Sequence, residues 1–150
     1  MVGVGYDSHR FGQGRRLVLG GVEIPHEQGL AGHSDADVLT HAVIDAVLGA
    51  CGNGDVGAMF PDDDPTWAGA NSIDLLSTVV GVADGRIVNI DATLICEQPR
   101  LGPYRAEMER ILAEATSARV NVKATSNEGM GWIGRGEGIA CIAVVQVDNE

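Results

Sequence analysis

Aromatic side chains are scarce here, with two each of Phe, Trp and Tyr among 150 residues. A core without them has to close on small aliphatic groups. The 21 glycines beside 45% hydrophobic residues point to tight turns and close backbone approach. Basic residues are also few, 10 against 21 acidic ones, which gives a formal net charge of −11. Nucleic acid and anionic membrane both require basic surface, so neither is expected as a partner. An anionic substrate would need metal ions and local donors to meet it. Cysteine is limited to Cys51, Cys96 and Cys141, odd in number and far apart, with no Cys-x-x-Cys. This argues against a disulfide framework and against a cysteine zinc site, and favours a reducing cytoplasm. No apolar run approaches the roughly 20 residues that cross a bilayer, and no basic-plus-apolar segment precedes the first motif. A bacterial cytoplasmic location is expected, or a plastid stroma after loss of a transit peptide. No internal repeat is visible, and the length suits a single domain over residues 1–150.

The richest stretch is residues 30–48, LAGHSDADVLTHAVIDAVL. Ser34, Asp35 and Asp37 crowd the point where a helix would begin, and apolar residues follow at three- and four-residue steps. The spacing predicts a helix over about 35–50. On it Asp37, His41 and Asp45 fall at i, i+4 and i+8 and share a face, with His33 just ahead. Near the N-terminus, VGVGYDSHRF places Asp7 and His9 two apart, just after a Val/Gly strand over 2–6, so alternation sends both side chains the same way. Asp7, His9 and His41 would give a metal three protein ligands and leave a fourth tetrahedral position open, as in catalytic zinc sites. Asp45 would accept the other ring N–H of His41 and fix its tautomer. An Asp-x-His pair also serves as a plain loop hydrogen bond, and spacing alone leaves both readings open.

Elsewhere, residues 17–19 and 22–24 read as a hairpin closed by Gly20-Gly21. Residues 52–72 form a loop of about twenty residues rich in Gly, Asp and Pro, a length that in compact domains usually marks function. A helix is predicted over 72–82. A half-buried strand over 87–96 follows, in which Val88, Ile90, Ala92 and Leu94 alternate with polar residues. Pro103 opens a third helix with Tyr104, Met108, Ile111, Leu112 and Ala115 on one face. Strands over 120–125 and 139–147 end the chain. The expected architecture is α/β (α+β): a mixed four-stranded sheet with helices on one face and a small N-terminal hairpin. The other face must meet another subunit or water.

Four motifs then converge in order: GYDSHRF at 5–11, GHSDADVLTHA at 32–42, GDVGAMFPD at 54–62 and ATSNEGMGWIGRGEGIAC at 124–141. Together they resemble the 2-C-methyl-D-erythritol 2,4-cyclodiphosphate synthases over nearly the whole chain. The resemblance implies a homotrimer of the non-mevalonate isoprenoid pathway. Such an enzyme converts 4-diphosphocytidyl-2-C-methyl-D-erythritol 2-phosphate into the cyclic diphosphate and releases CMP, a cyclising phosphorus–oxygen lyase reaction. It implies zinc on Asp7, His9 and His41, and a second ion, magnesium or manganese, held with the substrate diphosphate by Glu128. Substrate contacts are implied for Asp7, His9, His33 and Ser34, for Asp55 and Gly57 at the ribose, and for Pro61, Asp62, Asp63, Asp64 and Pro65 at the methylerythritol. A cytidine pocket is implied from a neighbouring subunit, spanning Ile95 to Leu101 with Ala124, Thr125 and Ser126. His33 and Ser126 fall on positions of transition-state stabilisation. Tyr6, Trp132 and Arg135 fall on positions lining a threefold-axis cavity where a prenyl diphosphate binds, with Glu137 the nearest counter-charge in sequence. The chain departs from the family in reading ATSNE where ATTTE is usual, and in Trp132 where Phe is common.

The chemistry suits these residue types. The nucleophile is a substrate phosphate, already anionic because its second pKa is about 6, so the histidines are free to be ligands. Positioning alone can be worth about 7–11 kcal/mol in well-aligned intramolecular reactions. Two rivals remain from the residues themselves: a zinc hydrolase using Asp37 or Asp45 as base, and a metal-stabilised trimeric binding protein for prenyl diphosphates.

Overall fold

The computed structural model describes residues 1–149. Its elements are β1 (Val2–Gly12), β2 (Leu17–Leu19), β3 (Val22–Ile24), β4 (Gly29–Leu30), α1 (Val38–Cys51), α2 (Val56–Met59), α3 (Ser72–Val82), β5 (Arg86–Ile95), α4 (Arg105–Thr116), β6 (Arg119–Thr125), α5 (Gly131–Gly134) and β7 (Gly138–Asp148). The main sheet has the order β4-β1-β7-β5-β6. It is mixed, since β5 and β6 pair in parallel and the other ladders are antiparallel. The four long strands are those expected. The fifth, β4, has two residues paired to the end of β1, too short to leave a periodic signal. The β2–β3 hairpin turns at Gly20-Gly21, with φ of 58° and 75°, as a type I′ turn requires.

Strand β1 does not stop at Tyr6. Its ladder with β7 continues through Asp7↔Cys141 and His9↔Ile139 to Arg10↔Gly138, so both ligand candidates sit inside the strand. In β5 a bulge between Ile87 and Asn89 changes the phase of alternation: Ile87 is buried, whereas Val88, expected to face inward, is only half-buried.

Helix α1 begins at Val38 rather than Asp35, because Asp37 caps it and Ala36 has φ of 56°. It is enclosed on nearly every side, with ten buried residues, and packs across β1 and β7. The contact with β1 is backbone on backbone. A Cβ on Gly5 would overlap the Ala42 carbonyl oxygen and lie 2.7 Å from the Ala46 nitrogen, and Gly3 faces the same obstruction at Ala46 and Ala50. Helices α3 and α4 complete the layer on the same face of the sheet. The segment between α1 and α3, expected as an open loop, holds α2 and a 3-10 turn (Pro65–Trp67), capped by Asp55 and Asp64. Phe60 and Trp67 pack edge to face at 4.9 Å.

The opposite face of the sheet is divided. Under β5 and β6 it is polar, with Asp91 bonded to Lys123 and Asn121. Under β1 and β7 it is apolar: Val4 pairs with Val144 and Tyr6 with Ile142, and these four with Val2 are 39–66% exposed. Among the described residues no helix is long and apolar enough to cross a membrane.

Candidate active site

Alternation along β1 directs Asp7 and His9 to the helix side, and the close approach of α1 brings His41 to them. Asp7 Oδ2 lies 2.8 Å from His9 Nε2 and 3.2 Å from His41 Nδ1, and the two ring nitrogens are 3.4 Å apart. Despite these distances Asp7 Oδ2 is buried without a hydrogen bond of proper direction. The three ligand atoms lie within 4.8 Å of one another. That is the geometry of ligands around a cation, and among the described residues this is the one group able to hold a metal ion. His9 Nδ1 donates to the Ala31 carbonyl at 3.0 Å, which leaves the Nε2 lone pair for the cluster. The electrostatics agree. Burial works to raise the Asp7 pKa, yet His41 and His9 beside it hold it below the usual carboxylate range. Burial works to lower that of His41, yet Asp7, with Asp37 and Asp35 behind it, holds it above the ordinary imidazole value. A cation bound here would take over the positive charge that these neighbours favour on His41.

Asp45, expected to partner His41, does other work, and so does Asp37 on the same face. Asp45 accepts the Val56 N–H at 3.2 Å and so anchors α2; it makes no bond to His41. Asp37 is fully buried and accepts four donors: Gly20 and Thr40 N–H on Oδ1, Gly21 N–H and the Thr40 hydroxyl on Oδ2. The face shared at i, i+4 and i+8 is real, but its residues diverge because the helix meets a different element at each turn. His41 Nε2 instead meets Ser34 Oγ at 3.0 Å and Ser72 Oγ at 2.8 Å. Sequence reading passed over Ser72, a serine at an ordinary helix start.

The cluster opens into a cavity of about 290 Å3 whose lining includes Asp7, His9, His33, Ser34, His41, Gly57, Phe60, Asp62 and Trp67. His33 Nε2 meets the Asp64 carbonyl at 3.0 Å, tying the acidic segment to the cavity mouth. Asp55 and Asp64 cap their helical turns through their side chains; Asp63 and Pro65 are exposed, and Pro61 is half-buried. A separate cavity of about 500 Å3 gathers Cys96 to Leu101 with Ala124, Thr125 and Ser126, and includes Arg100 and Arg105. Ile95, expected in that wall, is instead a half-buried strand residue paired with Thr125. Burial pushes the Cys96 thiol up to about 12, so it lines the wall as an inert group.

The two cavities have no lining residue in common. Glu128 is exposed, with φ of 54°, on the turn after β6, outside the Asp7 cluster. A third hollow, about 690 Å3, lies between the far end of β1 and Trp132, Gly136 and Glu137. Arg135 does not line it; its Nε donates to Glu137 Oε2 at 2.6 Å.

Fold and site together define a mixed α/β protein with an Asp–His–His metal-binding group opening onto a cavity beside an acidic segment. Residues 1–148 match the YgbB family. A 2-C-methyl-D-erythritol 2,4-cyclodiphosphate synthase from Symbiobacterium thermophilum is 56% identical, over 98% of both chains. One from Syntrophus aciditrophicus is 53% identical, over 97% of this chain and 96% of that one. Among solved structures, a 2C-methyl-D-erythritol-2,4-cyclodiphosphate synthase in its CDP-bound form superposes with a TM-score of 0.88 at 34% identity, covering 99% of this chain and all of that one. The chain belongs to the YgbB family, that of the 2-C-methyl-D-erythritol 2,4-cyclodiphosphate synthases.

Proposed function

We propose that this chain converts 4-diphosphocytidyl-2-C-methyl-D-erythritol 2-phosphate to 2-C-methyl-D-erythritol 2,4-cyclodiphosphate with release of CMP, as a cyclising lyase of the non-mevalonate pathway. The observation that carries the reading is the convergence of Asp7, His9 and His41, with its orphaned carboxylate oxygen, on a cavity bordered by the acidic segment. Zinc is the ion that two imidazoles and one carboxylate suit, with magnesium or manganese expected at the diphosphate through Glu128. When bound, these ions supply Lewis-acid polarisation of phosphate oxygens and relief of their mutual repulsion.

The chain's own residues position the substrate. Gly57 and Asp62 line the cavity beside the metal group, and Asp55 is expected at the ribose. His33, held by the Asp64 carbonyl, stands at the wall where the transferring phosphate would sit, and Ser126 offers a hydroxyl from the cytidine wall. Arg100 and Arg105 bring positive charge to that wall in a chain of net charge −11. The separation of the two cavities within one chain, and the apolar β1–β7 face, favour a homotrimer in which the cytidine wall of one subunit completes the metal site of the next. Tyr6 on that face, with Trp132 and Arg135, would line an axial site for a prenyl diphosphate. A cytoplasmic location follows from the reaction proposed.

The decisive experiment is turnover followed by phosphorus NMR. Stoichiometric CMP and cyclic diphosphate are expected. A linear phosphate product would establish the hydrolase instead, and no turnover in the metal-loaded protein would leave a binding protein. His41→Ala should lose zinc and turnover while staying folded, because α1 is held by its buried apolar residues.

A further inference from the structure

We propose that Ser72 and Asp35 are positioning residues for the metal ligand His41, forming a hydrogen-bonded chain that fixes which ring nitrogen faces the metal; this rests on the metal-site reading above. His41 presents Nδ1 to the cluster, so its proton must sit on Nε2. Two hydroxyls meet Nε2, from Ser72 at 2.8 Å and Ser34 at 3.0 Å. A hydroxyl can donate or accept, and a free one would support either tautomer. Ser72 is not free. Its hydroxyl donates to Asp35 Oδ1, so the Ser72 proton points to Asp35 and its lone pairs face Nε2. The direction of donation is then set along the whole chain, from His41 Nε2–H to Ser72 and from Ser72 to Asp35.

Asp35 is itself held in place. Its Oδ2 accepts the Ser72 N–H at 2.9 Å and its Oδ1 the Asp37 N–H at 3.1 Å. Ser72 is fully buried at the start of α3, so water cannot readily substitute for its hydroxyl. The arrangement also joins the acidic segment to the ligand. That segment ends at Ser72 and is strapped beside His41 by Gly69 N–H to the His33 carbonyl and Asp35 N–H to the Ala70 carbonyl. Ser34, by contrast, meets no carboxylate among the described residues; besides His41 its hydroxyl accepts a long bond from the Ala36 N–H.

The test is zinc affinity by chelator competition on the purified protein, with the His41 ring tautomer read by long-range nitrogen–proton NMR. Ser72→Ala should weaken zinc about 10- to 100-fold, the usual cost of losing a partner behind a metal ligand, and shift His41 towards mixed tautomers. Ser72→Thr, which restores the hydroxyl, should return affinity to within roughly threefold of wild type. Asp35→Asn, a near-isosteric change, covers the case in which Ser72→Ala fails to fold, and should lower affinity with the same tautomer shift. Wild-type affinity and a single tautomer in Ser72→Ala, or in Asp35→Asn should the former not fold, would overturn the assignment while leaving the metal site intact. A wild-type protein that binds no zinc would overturn the metal-site reading, and this inference with it.

Discussion

Replacing Asp37 separates a structural role from a catalytic one. Its carboxylate has no exposure and accepts from three backbone N–H groups, those of Gly20, Gly21 and Thr40, and from the Thr40 hydroxyl. One side chain therefore caps α1 and pins the turn of the β2–β3 hairpin against it. In Asp37→Ala all three N–H groups lose their partner at about 1–3 kcal/mol each, a gross loss of about 3–9 kcal/mol. Water entering the vacated space recovers part, which places the expected destabilisation near 4–5 kcal/mol. In Asp37→Asn the amide oxygen can keep Gly20 and Thr40 N–H, and the Thr40 hydroxyl can turn to accept, but the amide nitrogen is set against the Gly21 N–H. One stranded donor and the loss of charge-assisted bonds cost about 2–3 kcal/mol. Urea unfolding of the metal-free protein measures both, at fixed protein concentration so that any subunit association would enter each variant alike. Zinc uptake by the folded fraction should be unchanged. Asp37→Asn within about 0.5 kcal/mol of wild type yet devoid of turnover would refute the reasoning and restore Asp37 as a base.

Gly5→Ala should push α1 off β1, because the added carbon meets the Ala42 carbonyl backbone; the expected outcome is a loss of about 2–4 kcal/mol together with weaker zinc binding, read by unfolding and metal titration. In the metal-free protein, the Asp7 contribution to stability is present above its unfolded value of about 3.9 and lost as pH falls through its lowered folded value. That of His41 is full below about 6.5 and lost as pH rises through its raised folded value. Thermal midpoints should therefore show a contribution that is greatest between those limits and absent from His41→Gln, whereas stabilisation by added zinc should grow as pH rises and His41 gives up its proton. If sites are shared, a His41→Ala chain and a chain blocked at the cytidine wall should recover some turnover when refolded together; no recovery in verified mixed trimers would place each site within a single chain.

Much of the site could be read directly. Asp7 and His9 share a face because strand alternation has period two, and the Gly20-Gly21 hairpin was recognisable because few dipeptides accept two positive φ values. His41 as the third member of the group that could hold a metal was in reach because its helix carried a clear start signal and an apolar pattern. The same helical spacing misled about Asp45, which bonds Val56 and not His41, whereas Asp37 caps the helix as its place in the start signal suggests. Periodicity reports that side chains share a face but carries no information about what each turn of the helix touches.

What the sequence determined by itself was thus local: element types, turn chemistry, the candidate Asp–His–His trio and, through the ordered motifs, the family. Tertiary structure decided the rest. Asp37 became a cap for a hairpin 16 and 17 residues away, Asp45 an anchor for α2, and Ser72 the partner of a histidine 31 residues earlier. It also divided the expected site into two cavities and left the β1–β7 sheet face apolar and exposed. The physical reason is that hydrogen bonds between segments far apart in the chain depend on how the elements pack, and on this fold that packing is governed by glycines letting α1 lie directly on β1.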